Sequence, residues 1–258
     1  MVLPLTLAPV VIVAAGFFDG PARVALWIVA LAIDYLGALA GGGRGLRISP
    51  AHFAERHGLI VIIALGESIV AIGIGAAGVA LTPSLVAAAV LGIVILAALW
   101  WAYFDVYAVG AQRQLSEASG ATRARLARDL YSYLHLPMIA GIVLFALGLK
   151  KTVEQVGDPL GTVPALALCG GLSLFFLTHV ALRIRVVYAI RRATTQRPGW
   201  IGPGRLVAGL GMLALLPAAL DLSALTSLAL VAGLCCALIA YDVVHYREER
   251  MRVREARP

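Results

Sequence analysis

Apolar residues come along this chain in long unbroken runs, not in the alternation of a strand or the one-sided stripe of a surface helix. Eight runs stand out, at 2–18, 22–40, 59–79, 84–103, 131–149, 164–182, 206–220 and 225–244, divided by short polar or Gly/Pro-bearing breaks. A helix needs roughly 17 to 25 apolar residues to cross a bilayer, which is the scale of these runs. Barrel strands would alternate apolar and polar positions, so that architecture is excluded. The pattern predicts an all-α polytopic integral membrane helix bundle of about eight transmembrane helices. It forms one transmembrane domain over 1–258, with 245–258 as a basic cytoplasmic tail.

Composition agrees. Hydrophobic residues make up 61% of the 258 and charged residues 14%, with a mean hydropathy of +0.91. A soluble domain carries about a quarter charged residues, so lipid is the solvent for most of this chain. The amino terminus lacks the basic start, short apolar core and cleavage site of a signal peptide, and its first run is read as mature helix.

The net charge of +7 becomes informative once the breaks are known. Arg44, Arg47 and Arg56, then Arg113, Arg123, Arg125 and Arg128, then Arg183, Arg185, Arg191, Arg192, Arg197 and Arg205, and finally Arg247, Arg250, Arg252, Arg254 and Arg257 fall in alternate breaks and the tail. Arg23, Lys150 and Lys151 fall in the others. Positive residues near span ends are retained in the cytoplasm, so both termini are expected there. The excess charge then reads as topology and attraction to membrane lipids of the anionic inner leaflet. No nucleic-acid partner is implied, since no aromatic-interleaved basic patch accompanies it. The linker from Gln112 to Asp129 is expected to lie at that leaflet, partly helical and broken near Gly120.

Several stretches imitate chemical motifs. "GIGAAG" at Gly73–Gly78 has the spacing of a dinucleotide fingerprint but lies inside an apolar helix, without the strand that motif requires. "GGGRG" at Gly41–Gly45 lacks a Lys-Ser/Thr ending and reads as a loop. His52 and His57 are five residues apart, about 140° around a helix, and do not converge on one metal. Cys169, Cys235 and Cys236 lie in apolar runs and read as packing residues. No metal, no cofactor and no catalytic set follow from these. "WWAYFDVY" at Trp100–Tyr107 reads as an aromatic belt, which makes Asp105 interfacial.

Glu67 stands in the middle of an apolar run. Ala64, Ser68, Ala71, Gly75 and Gly78 on the same helix fall within roughly 40° of one line, a small-residue seam that admits a neighbouring backbone. Glu67 lies about 60° from that line and is expected to face the interior or a cavity. Arg56, nearly in angular register with it, is its expected partner. Asp34, Glu67, Asp105, His135, His179 and Asp242 all fall toward the expected cytoplasmic side or the midplane, which suggests a polar vestibule. Ordinary interhelical hydrogen bonding is the competing reading for the histidines, Asp105 and Asp242.

"HFAERHGLIVIIALGESIVAIG" at 52–73, "LWWAYFD" at Leu99–Asp105 and "YSYLHLPMIAGIVLFALG" at Tyr131–Gly148 together resemble the bacterial low temperature requirement A (LtrA) family over nearly the whole chain. The resemblance implies a polytopic membrane protein linked to growth in the cold and supplies no catalytic assignment. Longer members begin with an extra region bearing a Phe-Phe-Asp-Leu type motif, which is not found here; the resemblance implies a shortened member or a late-start piece. It marks His52, Glu55, Arg56, Glu67, Ser68, Trp101, Asp105, Tyr133, His135 and Pro137 as matching the family pattern.

With Asp34 added, Glu67, His52, Glu55, Arg56, Ser68, Asp105, Tyr133 and His135 form the candidate ion, proton or ligand site. Titratable groups spread in depth point to an ion- or proton-coupled transporter or channel, with an ion or small molecule as cargo. Two alternatives remain open. One is a membrane enzyme in which Arg56 holds a lipid or isoprenoid phosphate while His52 or Glu55 moves a proton. The other is a non-catalytic protein of membrane adaptation.

Overall fold

The computed structural model describes residues 2–40, 49–193, 203–248 and 250–251. Among the described residues twelve helical segments follow one another: α1 (Val2–Ala15), α2 (Gly20–Ala40), α3 (Pro50–Ala76), α4 (Pro83–Ala102), α5 (Ala108–Glu117), α6 (Gly120–Ala127), α7 (His135–Glu154), α8 (Thr162–Ala165), α9 (Gly171–Ala193), α10 (Gly204–Ala214), α11 (Leu216–Asp221) and α12 (Ala224–His245). Three π-helical turns, Tyr103–Tyr107, Arg128–Tyr133 and Leu166–Gly170, are spliced between α4 and α5, α6 and α7, and α8 and α9. Among the described residues, the only extended pairing is an isolated bridge between Pro159 and Ser223.

The helix starts follow from local chemistry. Pro50 and Pro83 occupy first-turn positions, where a missing N–H costs nothing. Thr82 Oγ1 accepts from Leu85 N–H at 3.2 Å, and Ser223 Oγ accepts from Thr226 N–H at 3.2 Å. Gly78, at φ +78°, turns the chain out of α3.

Seven helices among the described residues are long and apolar enough to cross a membrane; the first apolar run forms a shorter helix. Two of the seven run for 35 residues, Pro83–Glu117 and Gly120–Glu154. The linker expected to be partly helical and broken near Gly120 is α5 and α6, two extensions of the flanking helices that meet at a break beside Gly120 (φ +50°). Buried Ala111, Leu115, Leu126 and Ala127 hold these extensions in the bundle. Arg44, Arg47, Arg197, Gly41–Gly45 and most of the basic tail lie outside the described residues.

α7 is the central post, packed between α3 and α9, while α4 pairs with α12 and α9 with α10. Glycines set these distances. A Cβ on Gly141 of α7 would sit 2.6 Å from the Gly171 carbonyl oxygen, and one on Gly75 of α3 would sit 2.6 Å from the Lys150 carbonyl oxygen. Such close approach of backbones is how helices associate where lipid removes the hydrophobic drive. The expected seam on α3 is thus used against α7, with Ala64, Ser68 and Gly75 buried. The α1–α2 pair joins the bundle through Tyr35, whose hydroxyl donates to the Tyr133 carbonyl at 2.6 Å.

The position of Glu67 is a correction. The buried residues of α3 are Gly58, Val61, Ala64, Leu65, Ser68, Ile72 and Gly75. At about 100° per residue their arc is centred roughly 60° beyond the small-residue line, on the side away from Glu67. The seam is one edge of the buried arc, so a residue flanking it on the other side turns outward. Glu67 is exposed, in a row with exposed Ile60, Ile63 and Ile74. Arg56 is no partner for it, because eleven residues separate them by about 16 Å along the axis. Its Nε donates instead to His52 Nε2 at 3.1 Å.

Candidate functional site

The polar interior lies at one end of the bundle, where the first two π-helical turns fall. π-helical turns alter the spacing of side chains and carbonyls relative to an α-helix and occur often at functional sites. The first sets Tyr103 and Tyr107 into the core, 1% and 3% exposed. The second sets Tyr131 there, just ahead of His135 on α7. His57 comes from α3 and His179 from α9.

These rings form one cluster. His135 is 4% exposed, and its ring stacks on Tyr131 at 5.1 Å between centroids, with His57 at 5.2 Å and Tyr103 at 5.7 Å. His179, 2% exposed, lies 4.4 Å from Phe175 and 5.5 Å from Tyr107 by the same measure. Each histidine directs Nδ1 at a carbonyl: His57 at Phe53 (2.8 Å), His135 at Leu130 (2.7 Å) and His179 at Phe175 (2.9 Å). A carbonyl only accepts, so Nδ1 carries the proton in all three and Nε2 keeps a lone pair in the neutral ring. Tyr103 Oη therefore donates to His135 Nε2, at 2.9 Å. His179 Nε2, Tyr107 Oη and Tyr131 Oη are buried without a hydrogen-bond partner among the described residues. Buried polar groups are nearly always hydrogen-bonded, so three idle ones beside one cluster mark a place for small polar occupants.

A charged network borders the cluster. Arg205, 5% exposed at the start of α10, donates from Nη2 to the Ala102 carbonyl at 2.9 Å and lies 3.9 Å from Asp242 Oδ2 on α12. Arg250, just past α12, donates from Nε to Asp105 Oδ2 at 2.6 Å and covers the Trp101 ring at 4.4 Å. Asp129 accepts from Arg128 (3.0 Å) and from Arg185 on α9 (2.8 Å).

The sequence candidates divide accordingly. His135 is central, Asp105 lies in the charged border, and Tyr133 holds α2 to the bundle by its backbone. Its own hydroxyl reaches the Tyr35 carbonyl at 3.5 Å. Ser68 is buried in the α3–α7 contact, its hydroxyl turned back to the Ala64 carbonyl. His52, Glu55 and Arg56 share one exposed turn, with His52 and Glu55 3.8 Å apart. Asp34 and Glu67 are exposed on α2 and α3. The belt reading of Trp100–Tyr107 is half corrected: Trp100 is half exposed, but Tyr103 and Tyr107 point inward. Tyr103, Tyr107, Tyr131 and Arg205 were missed as site residues. The tyrosine pair at i and i+4, and Tyr131 four residues before His135, were the available signals. Cys169 and Cys235 are buried and free, and Cys236 is exposed and free. Among the described residues no three His, Cys, Asp or Glu side chains gather as metal ligands.

No solved structure matches this chain significantly. An uncharacterised protein of Rhizobium meliloti (strain 1021) is 34% identical in an alignment of 188 positions that covers 66% of this chain and 44% of that protein. The chain thus matches less than half the length of this relative. The family model described as bacterial low temperature requirement A protein (LtrA) matches residues 1–240. With that match running through the helices that carry the histidine and tyrosine cluster, the chain belongs to the bacterial LtrA family of membrane proteins.

Proposed function

We propose that this protein moves protons across the bacterial cytoplasmic membrane, with both termini inside the cell and the basic end of the bundle against the anionic inner leaflet. The observation that carries this reading is the Tyr103–His135 hydrogen bond, sealed among two further imidazoles and two idle tyrosine hydroxyls. Ionisable groups buried in a membrane bundle are costly and characteristically serve proton relays or ion paths.

The geometry suits uptake and release. In the neutral state His135 Nε2 accepts from Tyr103. A proton arriving at Nε2 makes it a donor, so the Tyr103 hydroxyl must turn its own hydrogen away. His179, whose ring is 6.5 Å from that of Tyr103, offers an unused lone pair at Nε2. Protonation of one imidazole thus reorients the tyrosine toward the next, which gives the cluster two arrangements for a proton gradient to bias. Toward the other end the buried face of α7 carries Met138, Ile142, Phe145 and Leu149, all fully buried, and its one hydroxyl there, Thr152, is spent on the Gly148 carbonyl at 2.9 Å. This arrangement suits a state open to one side only.

The test is purified protein in liposomes that hold a pH-sensitive dye, with a potassium diffusion potential as driving force. Wild type should acidify the lumen well above empty liposomes, and Tyr103→Phe, which keeps the ring and removes the hydroxyl, should slow it by roughly 100-fold. Wild-type rates equal to those of empty liposomes would overturn the proposal.

A further inference from the structure

The charged border raises a question that the cluster alone does not answer. Arg205 and Asp242 are 5% and 4% exposed and lie on adjacent helices, yet Arg205 Nη2 and Asp242 Oδ2 stand 3.9 Å apart. A buried ion pair normally closes to hydrogen-bonding distance, because only that contact offsets the desolvation of both charges. Among the described residues, Arg205 Nε and Asp242 Oδ1 are each left without a hydrogen-bond partner. Arg205 is held off by its bond to the Ala102 carbonyl, at the entry to the first π-helical turn.

The idle atoms are complementary. Arg205 Nε–H can only donate; Asp242 Oδ1 and His179 Nε2 have lone pairs to accept; the Tyr107 hydroxyl can do both. They belong to neighbouring elements: Tyr107 lies five residues beyond Ala102, its ring is 5.5 Å from that of His179, and α10, which begins with Arg205, packs directly on the α9 segment that carries His179, a Cβ on Gly209 falling 2.9 Å from the Leu177 side chain. Water is the occupant that satisfies such a set, since it donates twice and accepts twice in the space of one small molecule.

We propose that bound water bridges the Arg205–Asp242 pair to His179 Nε2 and that Asp242 loads protons into the histidine–tyrosine cluster, with Arg205 as the positioning residue that keeps Oδ1 open. This assignment rests on the proton-transport reading for its purpose, though the bridge can be tested without transport. The step balances: the Asp242 carboxylate takes a proton from the aqueous end, its O–H bond breaks toward the bridging water, and that water releases another proton to His179 Nε2. Asp242 is left as carboxylate and His179 as imidazolium. Among the described residues, the ionisable groups facing Asp242 are Arg205 from α10, Asp105 from the first π-helical turn, and Arg250 and Tyr246 from the segment after α12, with Arg183 of α9 beside Arg205 and Tyr246. Those facing His179 are Arg205, His135 from α7, and Tyr103 and Tyr107.

The experiment is infrared difference spectroscopy of the purified full chain in detergent across pH, following the carbonyl stretch of a protonated carboxylic acid. The bridge predicts a band that disappears in Asp242→Asn, shifts in frequency in Asp242→Glu, and shifts its pH midpoint in His179→Phe. A band indifferent to His179→Phe would overturn the bridge, and so would a titration identical in wild type and both Asp242 variants. Asp242→Glu keeps the charge, so the assignment does not depend on whether Asp242→Asn folds. In liposomes, Asp242→Asn should slow proton entry by roughly tenfold or more. A wild type without proton flux but with the coupled band would reject the transport reading and leave the bridge standing.

Discussion

His57 and Glu67 sit ten residues apart on α3, and the fold treats them oppositely. His57 enters the ring cluster beside Tyr131 and His135, where α3 meets α7. Glu67 stands on the outward arc among isoleucines, as do His52, Glu55 and Arg56 one turn before His57. The comparison teaches that an ionisable residue within an apolar run is not thereby an interior one. What separates the two populations is their angle to the whole buried arc, which large side chains such as Val61, Leu65 and Ile72 help to set.

If that division is correct, substitutions on the two sides should differ in kind. The largest difference is expected between ion pairs. Asp105 and Arg250 are nearly enclosed, so Arg250→Ala takes a charged donor at 2.6 Å away from a buried carboxylate and should cost about 3–5 kcal/mol. Arg113→Ala removes a pair with Glu117 in which both side chains are more than half exposed, and should cost no more than about 1 kcal/mol. Equilibrium unfolding of the two variants in mixed micelles measures both.

Next come the glycines. Gly141→Ala drives a methyl against the Gly171 backbone and should cost about 1–3 kcal/mol. A Cβ at Gly73, on the outward arc of α3, meets nothing within 4 Å, so Gly73→Ala should be neutral or stabilising by up to about 1 kcal/mol. Thermal unfolding of the two variants checks the ordering, and equal losses would erase the distinction between the faces.

The smallest effect belongs to Glu67. On the outward arc it has the same surroundings in the assembled bundle and in separated membrane helices, so Glu67→Leu should change assembly stability by no more than about 0.5 kcal/mol. A loss several times larger would show that Glu67 has a partner.

The helical class and the approximate spans were legible in the sequence because runs apolar on every side admit few other structures in lipid. His135 and Asp105 were legible as polar residues near span ends. Tyr103, Tyr107 and Tyr131 were not, because an aromatic near a span end looks the same whether it anchors in the interface or turns inward. The π-helical turns that decide between these leave no local composition signal in "WWAYFDVY" or "RDLYSYLH". Arg205 was counted only as a topological charge. Its role depends on α10 lying against α9 and near the Ala102 carbonyl, 103 residues away, which is a tertiary fact. Glu67 was misplaced because the small-residue line was taken as the centre of the buried arc when it is one edge.

The most direct test of the account sets the two faces against each other in one assay. Proton entry into dye-loaded liposomes is measured for His135→Phe and Glu67→Gln, with both variants first confirmed as folded by size-exclusion chromatography. The account predicts that His135→Phe falls to the rate of empty liposomes while Glu67→Gln keeps the wild-type rate within about twofold. Flux preserved in His135→Phe and abolished in Glu67→Gln would contradict it and move the functional site to the outer face of α3.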